Sequence, residues 1–185
     1  SFPTTRALTF SISKSTRELI VCIHALFECE FSFDSFITFI MENIFQPVVS
    51  RAVSMDIKEN DREFIMSLSY SVEAISDELR PTYPTVFQNL EEILKLFLNM
   101  NVVNLEGNHF LGITFNDQKP KIMNMIFQEC LKYCIPKTFD ENAQSTMKDD
   151  VRKFSHLLTE FHLFENDEHE MIEGICTRID EHFNQ

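Results

Sequence analysis

The chain has 185 residues, a length that suits one ordinary domain or two very small ones. Its 29 acidic residues outnumber 16 Lys and Arg, and the net charge of -13 argues against binding to nucleic acids or anionic membranes. Apolar residues make up 44% of the chain and glycines number three, which excludes disorder, disfavours a β-sandwich and favours a mainly α-helical fold.

The amino-terminal part of the chain divides into a polar stretch and a predicted helix. Residues 1–14 show no clear period, and we interpret them as a leader. A capping box at residues 15–18 then predicts a first helix with an apolar stripe of Leu19, Ile23, Leu26 and Phe27. We expect residues 15–185 to form a single helical domain. Because the chain begins with Ser1 and has no signal segment, we expect it to be a fragment of a longer protein.

A second helix is predicted from Asp34, and Pro47 is expected to stop or kink it. The hydrophobic period then becomes alternating within residues 52–70. Two alternating runs on either side of a polar turn at residues 59–61 predict a β-hairpin. Its apolar positions are Val53, Met55, Ile57, Phe64, Met66, Leu68 and Tyr70. Two strands alone are marginal, so we expect this face to pack on helices, and we expect strands nowhere else.

In the second half of the chain, the spacing of apolar residues predicts helices and no strands. The third helix has Pro84 in its first turn, and a long loop with two glycines is expected over 101–118. A fourth helix is predicted from Pro120 to Ile135, a fifth over 143–164, and a last one after a cap at 166–167. The residues expected on buried stripes are Val86, Phe87, Leu90, Ile93, Leu94, Phe97, Leu98, Ile122, Met125, Ile126, Cys130, Tyr133, Val151, Phe154, Leu158, Phe161, Ile172, Ile175, Cys176, Ile179 and Phe183.

Histidines near acidic residues are the first candidates for a metal site. His156 and His162 are six positions apart, and His162 and His169 straddle the predicted helix break. Zinc ligands on one helix need a spacing of three or four, so we interpret these histidines as surface residues. We expect no metal, no cofactor and no cofactor-binding residue.

The five cysteines, at positions 22, 29, 130, 134 and 176, are odd in number and lie mostly within apolar stripes. This pattern is typical of core thiols in a reducing compartment. Cys130 and Cys134 are neighbours on one helix, but a metal would need two further ligands and a disulfide there would be strained. No nucleophile elbow, phosphate loop or dinucleotide turn is present. We therefore predict no catalytic residue and no enzyme.

The order of the helix-ending signals resembles the middle segment of the zeste-white ten family over residues 15–185. The similar features are an apolar-x-Pro step at 45–47, the alternating hairpin, a proline-led helix that opens with Val86 and Phe87, the segment Leu131–Pro136, and the ending Ile179–Phe183. The chain is identified as a distant member of this family of kinetochore and vesicle-tethering subunits.

The resemblance implies a part of a helical-rod tether, the architecture shared by exocyst, Golgi-tether and Dsl-complex subunits. Its implied partners are rough deal-like and Zwilch-like subunits at mitotic kinetochores, with dynein–dynactin recruited indirectly, or Dsl-type subunits that tether Golgi-derived vesicles at the endoplasmic reticulum. The implied location is cytoplasmic, at kinetochores in mitosis and peripheral at the endoplasmic reticulum and Golgi. The segment would be a non-catalytic spacer. The alternative is another helical adaptor that binds a partner helix in a hydrophobic groove.

Overall fold

The structure, a computed structural model, describes residues 4–13, 34–73, 76–100, 115–136, 140–164 and 169–184. Most of the described chain is helical, as the composition predicts. The helices are α1 (Asp34–Ile40), α2 (Gln46–Ser50), α3 (Tyr83–Met100), α4 (Lys119–Ile126), α5 (Lys132–Cys134), α6 (Glu141–Glu160) and α7 (His169–Phe183). The strands are β1 (Thr5–Ser13), β2 (Val53–Glu59) and β3 (Glu63–Ser71).

Two π-turns join short helices into longer rods. Met41–Phe45 connects α1 to α2, and Phe127–Leu131 connects α4 to α5. Short 3-10 turns, Asp77–Leu79 and Asn116–Gln118, precede α3 and α4. The helix predicted from Pro120 therefore begins slightly earlier than expected, and its predicted end at Ile135 is confirmed by the extended backbone of that residue.

Pro47 does not end the second predicted helix, which continues to Ser50. The π-turn brings it to the second position of α2, where a missing N–H costs little. Proline cannot donate to the Asn43 carbonyl four residues earlier, and the Tyr70 hydroxyl of β3 donates to that oxygen at 3.2 Å. The sheet thus supplies a hydrogen bond at the point where the helix loses one.

The predicted hairpin is confirmed, and its apolar face is the one that is buried. In β3, Phe64, Met66, Leu68 and Tyr70 are all less than a tenth exposed. Their register with β2 pairs Met55 with Leu68. The opposite face of the sheet carries mostly polar side chains, such as Ser67, Ser69 and Lys58, with Ile65 as an apolar exception. This composition suits contact with solvent.

The prediction of strands in the hairpin alone is wrong. Thr5–Ser13, which the sequence analysis assigns to the leader, is a third strand that pairs antiparallel with β3 in the order β1-β3-β2. Leu8 and Phe10 lie opposite Leu68 and Met66 and pack against the core. Residues 5–13 form a strand because their apolar residues alternate with polar ones. This period of two places Leu8 and Phe10 on the same face of the sheet as the apolar residues of β3.

The helices surround the apolar face of this sheet and share one core with it. Helix α2 contacts α3 and the Phe127–Leu131 turn, while α3 contacts both β3 and α6. The rings of Phe87 on α3 and Phe154 on α6 are stacked, with centroids 4.6 Å apart. Helix α7 contacts α4 and α6. The buried set includes residues from all the longer helices and from β3.

Most of the predicted burial is confirmed on α3, α4, α6 and α7, including Phe154 at 4% exposed. Leu98 and Tyr133 are exceptions, with 39% and 40% of their surface exposed. Helix α6 ends at Glu160, before the predicted end at 164, because His162 adopts a positive φ of 56°. The amides of Leu163 and Phe164 then donate to the Leu158 carbonyl and complete the helix end.

Several predictions fall on parts of the chain outside the described residues. They are the first helix near 15–27, the loop over 101–114, the cap at 166–167, and the thiols of Cys22 and Cys29. The side chain of Phe97 is likewise outside the description. The helical-rod tether architecture itself stays a prediction.

Candidate functional site

The three histidines singled out for metal binding do not converge. His156 lies on the exposed side of α6, His162 follows that helix, and His169 is exposed at the start of α7. Across the described ranges, His, Cys, Asp and Glu form no group of three that could hold a metal ion. These residues are therefore on the surface, as predicted, and the absence of a metal or cofactor stays a prediction.

A polar junction forms where the chain enters α3 and where α5 ends. Arg80 donates to the Glu129 carbonyl oxygen at 2.8 Å and to its carboxylate at 3.3 Å, and it also contacts Asp77 at 3.2 Å. Its guanidinium lies 3.9 Å from the centre of the Tyr133 ring. Burial opposes the charge of Arg80, but the hydrogen bonds to Asp77 and Glu129 outweigh it and raise its pKa.

The same junction contains a tyrosine bound to a carboxylate. The Tyr83 hydroxyl donates to Asp150 of α6 at 3.1 Å. Burial and this hydrogen bond raise the pKa of Tyr83 to about 12, so the phenol stays protonated near neutral pH. Its chemical role is that of a structural hydrogen-bond donor between α3 and α6.

The thiols of Cys130 and Cys134 lie beside this tyrosine. Cys130 and Cys176 are buried, which confirms their prediction as core thiols, whereas Cys134 is half-buried. Interaction with Cys130 lowers the pKa of Cys134 to about 7, with burial acting in the opposite direction and the backbone of Tyr83 adding to the decrease. The sequence indicates the spacing of the two thiols, but it does not indicate the contribution of α3, which comes from a distant segment.

Ion pairs join the polar sides of α6 and α7. Lys148 lies 2.8 Å from Asp180, and Arg152 contacts both carboxylate oxygens of Glu173 at 3.1 and 3.2 Å. The hydrogen bond from Lys148 lowers the pKa of Asp180, and the hydrogen bond from Arg152 lowers the pKa of Glu173. These carboxylates are therefore fixed partners of cations and are poor candidates for proton transfer near neutral pH.

A small open cleft lies between α1 and the start of α4. It encloses about 160 Å³ and is lined by Ile37, Thr38, Met41, Gln118 and Lys121. Ligand pockets usually measure roughly 300–1,000 Å³, and a groove for a helix is longer and more apolar. This cleft therefore gives no support to the adaptor alternative. None of the described helices is both long and apolar enough to cross a bilayer.

Comparison with known proteins decides the family. Residues 5–185 match the sequence model of the family described as centromere/kinetochore protein zw10, middle domain. The chain belongs to this family. The resemblance drawn from the helix-ending signals is thereby confirmed, and the match begins within β1, ten residues before the predicted start at 15.

Curated relatives of the chain are named centromere/kinetochore protein zw10. The chain is 30% identical over 164 residues to that of Drosophila melanogaster, 30% identical over 165 residues to that of Drosophila grimshawi, and 27% identical over 169 residues to that of Drosophila pseudoobscura pseudoobscura. Each alignment covers 86% of this chain. The chain spans 23–24% of the length of these relatives.

Proposed function

We propose that this chain is a non-catalytic scaffold segment of a kinetochore subunit. The observation that carries the proposal is the match of residues 5–185 to the middle domain of a kinetochore protein. The segment would hold the binding ends of the subunit at a fixed separation and orientation. Its partners would be rough deal-like and Zwilch-like subunits, and dynein–dynactin would be recruited indirectly through that assembly.

The continuous core supports a spacer role. A sheet and helices that share one buried apolar cluster transmit position across the unit, because packed interiors have low compressibility. The contact between α6 and α7 is reinforced by the ion pairs of Lys148 and Arg152. These features fit a rigid segment between attachment points.

The chemistry of the described side chains supports the non-catalytic part of the proposal. Tyr83 and Arg80 are each bound by a structural partner, and so are the carboxylates of Glu173 and Asp180. The net charge of -13 supports protein partners in place of nucleic acid or an anionic membrane surface. A second role, in which Dsl-type subunits tether vesicles at the endoplasmic reticulum and Golgi, belongs to the same proposal in interphase cells.

The test uses the full-length protein that contains this segment, with a disruptive variant and a matched control. Phe154→Asp places a carboxylate at a position that is 4% exposed, whereas His156→Asp places it two residues away on the exposed face of α6. Burial of an unpaired charge costs several kcal/mol, about the whole stability of a domain. Circular dichroism is expected to show unfolding of the segment in the first variant and a native spectrum in the second.

Tagged wild-type and variant proteins are then captured from mitotic and interphase cells, and the bound proteins are identified by mass spectrometry. Wild type and His156→Asp are expected to capture rough deal-like and Zwilch-like subunits in mitosis and to localise at kinetochores. Phe154→Asp is expected to lose both. Capture and localisation by a variant whose segment is unfolded would contradict the spacer role. Capture of Dsl-type subunits alone would contradict the kinetochore role.

A further inference from the structure

Strand β1 forms one edge of the sheet. Among the described residues, the sheet consists of β1, β3 and β2 in that order, so β1 has a neighbouring strand on one side alone. Thr5–Ser13 is nine residues long, contains no proline and carries a single charged residue, Arg6. A long edge strand with few charges is a template for pairing with another strand.

The backbone groups of β1 alternate between the two sides of the strand. The Val72 amide donates to the Thr4 carbonyl at 3.0 Å, and these residues continue the register in which Thr5 lies opposite Ser71. In an antiparallel ladder, hydrogen-bonded pairs alternate with pairs that do not bond to each other. The even-numbered residues of β1 therefore bond to β3, and the odd-numbered residues direct their N–H and C=O groups to the outer edge.

The two edges of the sheet differ in how they are protected. On β2, Asp56 and Lys58 form an ion pair at 3.6 Å, and both side chains are largely exposed. Charged side chains, lysine above all, protect an edge strand from pairing with other chains. Strand β1 contains no acidic residue, and its Leu8 and Phe10 are half-buried against the core. A strand added beside β1 would cover the exposed part of these two side chains.

The sequence of β1 is complementary to itself in an antiparallel register. Thr9 is the central residue of the strand, and a two-fold axis beside it pairs all nine residues with a second copy. Thr9 then lies opposite Thr9 of the second copy, and Ala7 lies opposite Ser11, so the outward N–H and C=O groups face one another. On the core side Leu8 lies opposite Phe10, and such apolar pairs stabilise neighbouring strands.

The distribution of charge also favours contact at this strand. Each chain has a net charge of -13, so two copies repel each other over most of their surfaces. Because β1 has no Asp or Glu, the paired strands themselves add little repulsion. Salt is expected to strengthen the contact, since it screens the repulsion between the remaining surfaces.

We propose that the outer edge of β1 is a self-association surface, where β1 of a second copy pairs antiparallel and the two three-stranded sheets become one. A contact made by one strand is small beside the roughly 1,200–2,000 Å² of a standard interface, so we expect a weak dimer that forms as the concentration rises. This contact is separate from the subunit partners proposed above. Two scaffold segments joined in this way would present two sets of attachment points related by a two-fold axis.

Analytical ultracentrifugation of the full 185-residue chain measures the association. Over about 5–500 μM, the average mass of wild type is expected to rise toward that of a dimer. Thr9→Pro removes an N–H that points away from β3, so the sheet within each chain is retained and the pairing between chains is blocked. Thr9→Val keeps this N–H and is the matched control. We expect Thr9→Val to dimerise as wild type does and Thr9→Pro to stay monomeric.

Two double variants test the register of the pairing. Ala7 and Ser11 are exposed, and each lies opposite the other across the proposed axis. Ala7→Lys with Ser11→Lys places like charges opposite each other, whereas Ala7→Lys with Ser11→Glu places opposite charges there. The first variant is expected to associate about tenfold more weakly than the second. Its net charge is less negative, so overall repulsion would not explain a weaker association. Equal association of the two variants would overturn the proposed pairing.

Circular dichroism checks that each variant is folded. A wild-type chain that stays monomeric over the whole concentration range would overturn the proposal, and so would a folded Thr9→Pro chain that dimerises as wild type does. If Thr9→Pro is unfolded, the comparison of the two double variants decides, because their substitutions lie on the exposed face of the sheet.

Discussion

The hydroxyl of Tyr70 illustrates how a single side chain can repair a defect in a distant element. It donates to the Asn43 carbonyl beside Pro47, and the buried Asn43 amide donates in turn to the Phe39 carbonyl at 2.8 Å. The Tyr70 bond connects the sheet to the rod formed by α1 and α2, and the Asn43 bond lies within that rod. A helix can therefore continue through a proline because a strand is packed beside it.

Removal of this hydroxyl is predicted to cost measurable stability. Tyr70→Phe leaves the ring in the core but removes the donor to a buried carbonyl, which is expected to lower the free energy of unfolding by about 0.5–1.5 kcal/mol. Urea unfolding followed by circular dichroism measures the change. The control is Tyr133→Phe, at a position that is 40% exposed, which is expected to stay within about 0.5 kcal/mol of wild type. Equal losses in both variants would contradict the assigned bond.

The burial of individual side chains could be predicted from the sequence in most cases, but not for Tyr133. The helical period correctly predicts burial for Val151, Phe154 and Leu158, because one face of α6 is covered along its length. Tyr133 lies at a position where the same helical period predicts burial, but its ring contacts Arg80 from another segment and the residue is 40% exposed. A contact between residues so far apart in the chain leaves no trace in local spacing.

Strand β1 is the element that the sequence analysis assigned incorrectly. Leu8 and Phe10 alternate with Thr9 and Ser11, so the signal of a half-buried strand is present in the sequence. The partner strand of β1 lies 58 positions away in the chain, as the contact between Thr9 and Ser67 shows. The β2–β3 hairpin could be predicted because its two halves are adjacent, whereas β1 has no neighbouring half to confirm it.

The place of β1 in the sheet can be tested with neighbouring substitutions that point to opposite faces. Leu8→Glu puts a charge against the core and is expected to lower the free energy of unfolding by about 1–3 kcal/mol. Thr9→Glu puts the same charge on the exposed face and is expected to have a small effect. Chemical denaturation of both proteins gives the comparison. A larger loss for position 9 would show that the register is shifted by one residue.

The contact between α6 and α7 is expected to depend on pH. Because its folded-state pKa is lowered below 3.8, Asp180 adds stability above that value, and the gain disappears as the pH falls through the lower folded-state pKa. Asp180→Asn is therefore expected to cost about 0.2–1 kcal/mol at pH 7, and this cost is expected to shrink as the pH falls below 3.8. Unfolding curves between pH 2 and 7 test this, with Glu181→Gln on the same helical turn as control. A cost that does not shrink as the pH falls would contradict the ion-pair origin.

At the scale of the whole molecule, the shared core predicts that the sheet and the helices unfold together. The chain has three tyrosines and no tryptophan, so tyrosine fluorescence can be assigned by substitution. Tyr83→Phe combined with Tyr133→Phe leaves Tyr70 of the sheet as the reporter, and Tyr70→Phe with Tyr83→Phe leaves Tyr133 of α5. In each protein, fluorescence is expected to change at the same temperature as the helical circular dichroism signal. Earlier melting of the Tyr70 signal would indicate that the sheet is a separate unit.

The fold class could be predicted from composition and period, because few glycines and long apolar stripes of helical spacing leave little choice of architecture. The family could be predicted from the order of sequence signals along the chain, such as the apolar-x-Pro step at 45–47 and the segment that ends at Pro136. The junction of Arg80, Tyr83 and Cys134 could not be predicted, because its members come from separate helices and meet through packing.

The order β1-β3-β2 has a consequence for synthesis of the chain on the ribosome. The first strand to emerge pairs with the last, and 58 positions separate Thr9 from its partner Ser67. At about 5–20 residues per second, translation takes roughly 3–12 s to cover that distance. Throughout that interval the apolar side chains of Leu8 and Phe10 lack the strand that they pair with in the folded protein, so slower elongation lengthens the time for which they are open to association with other chains.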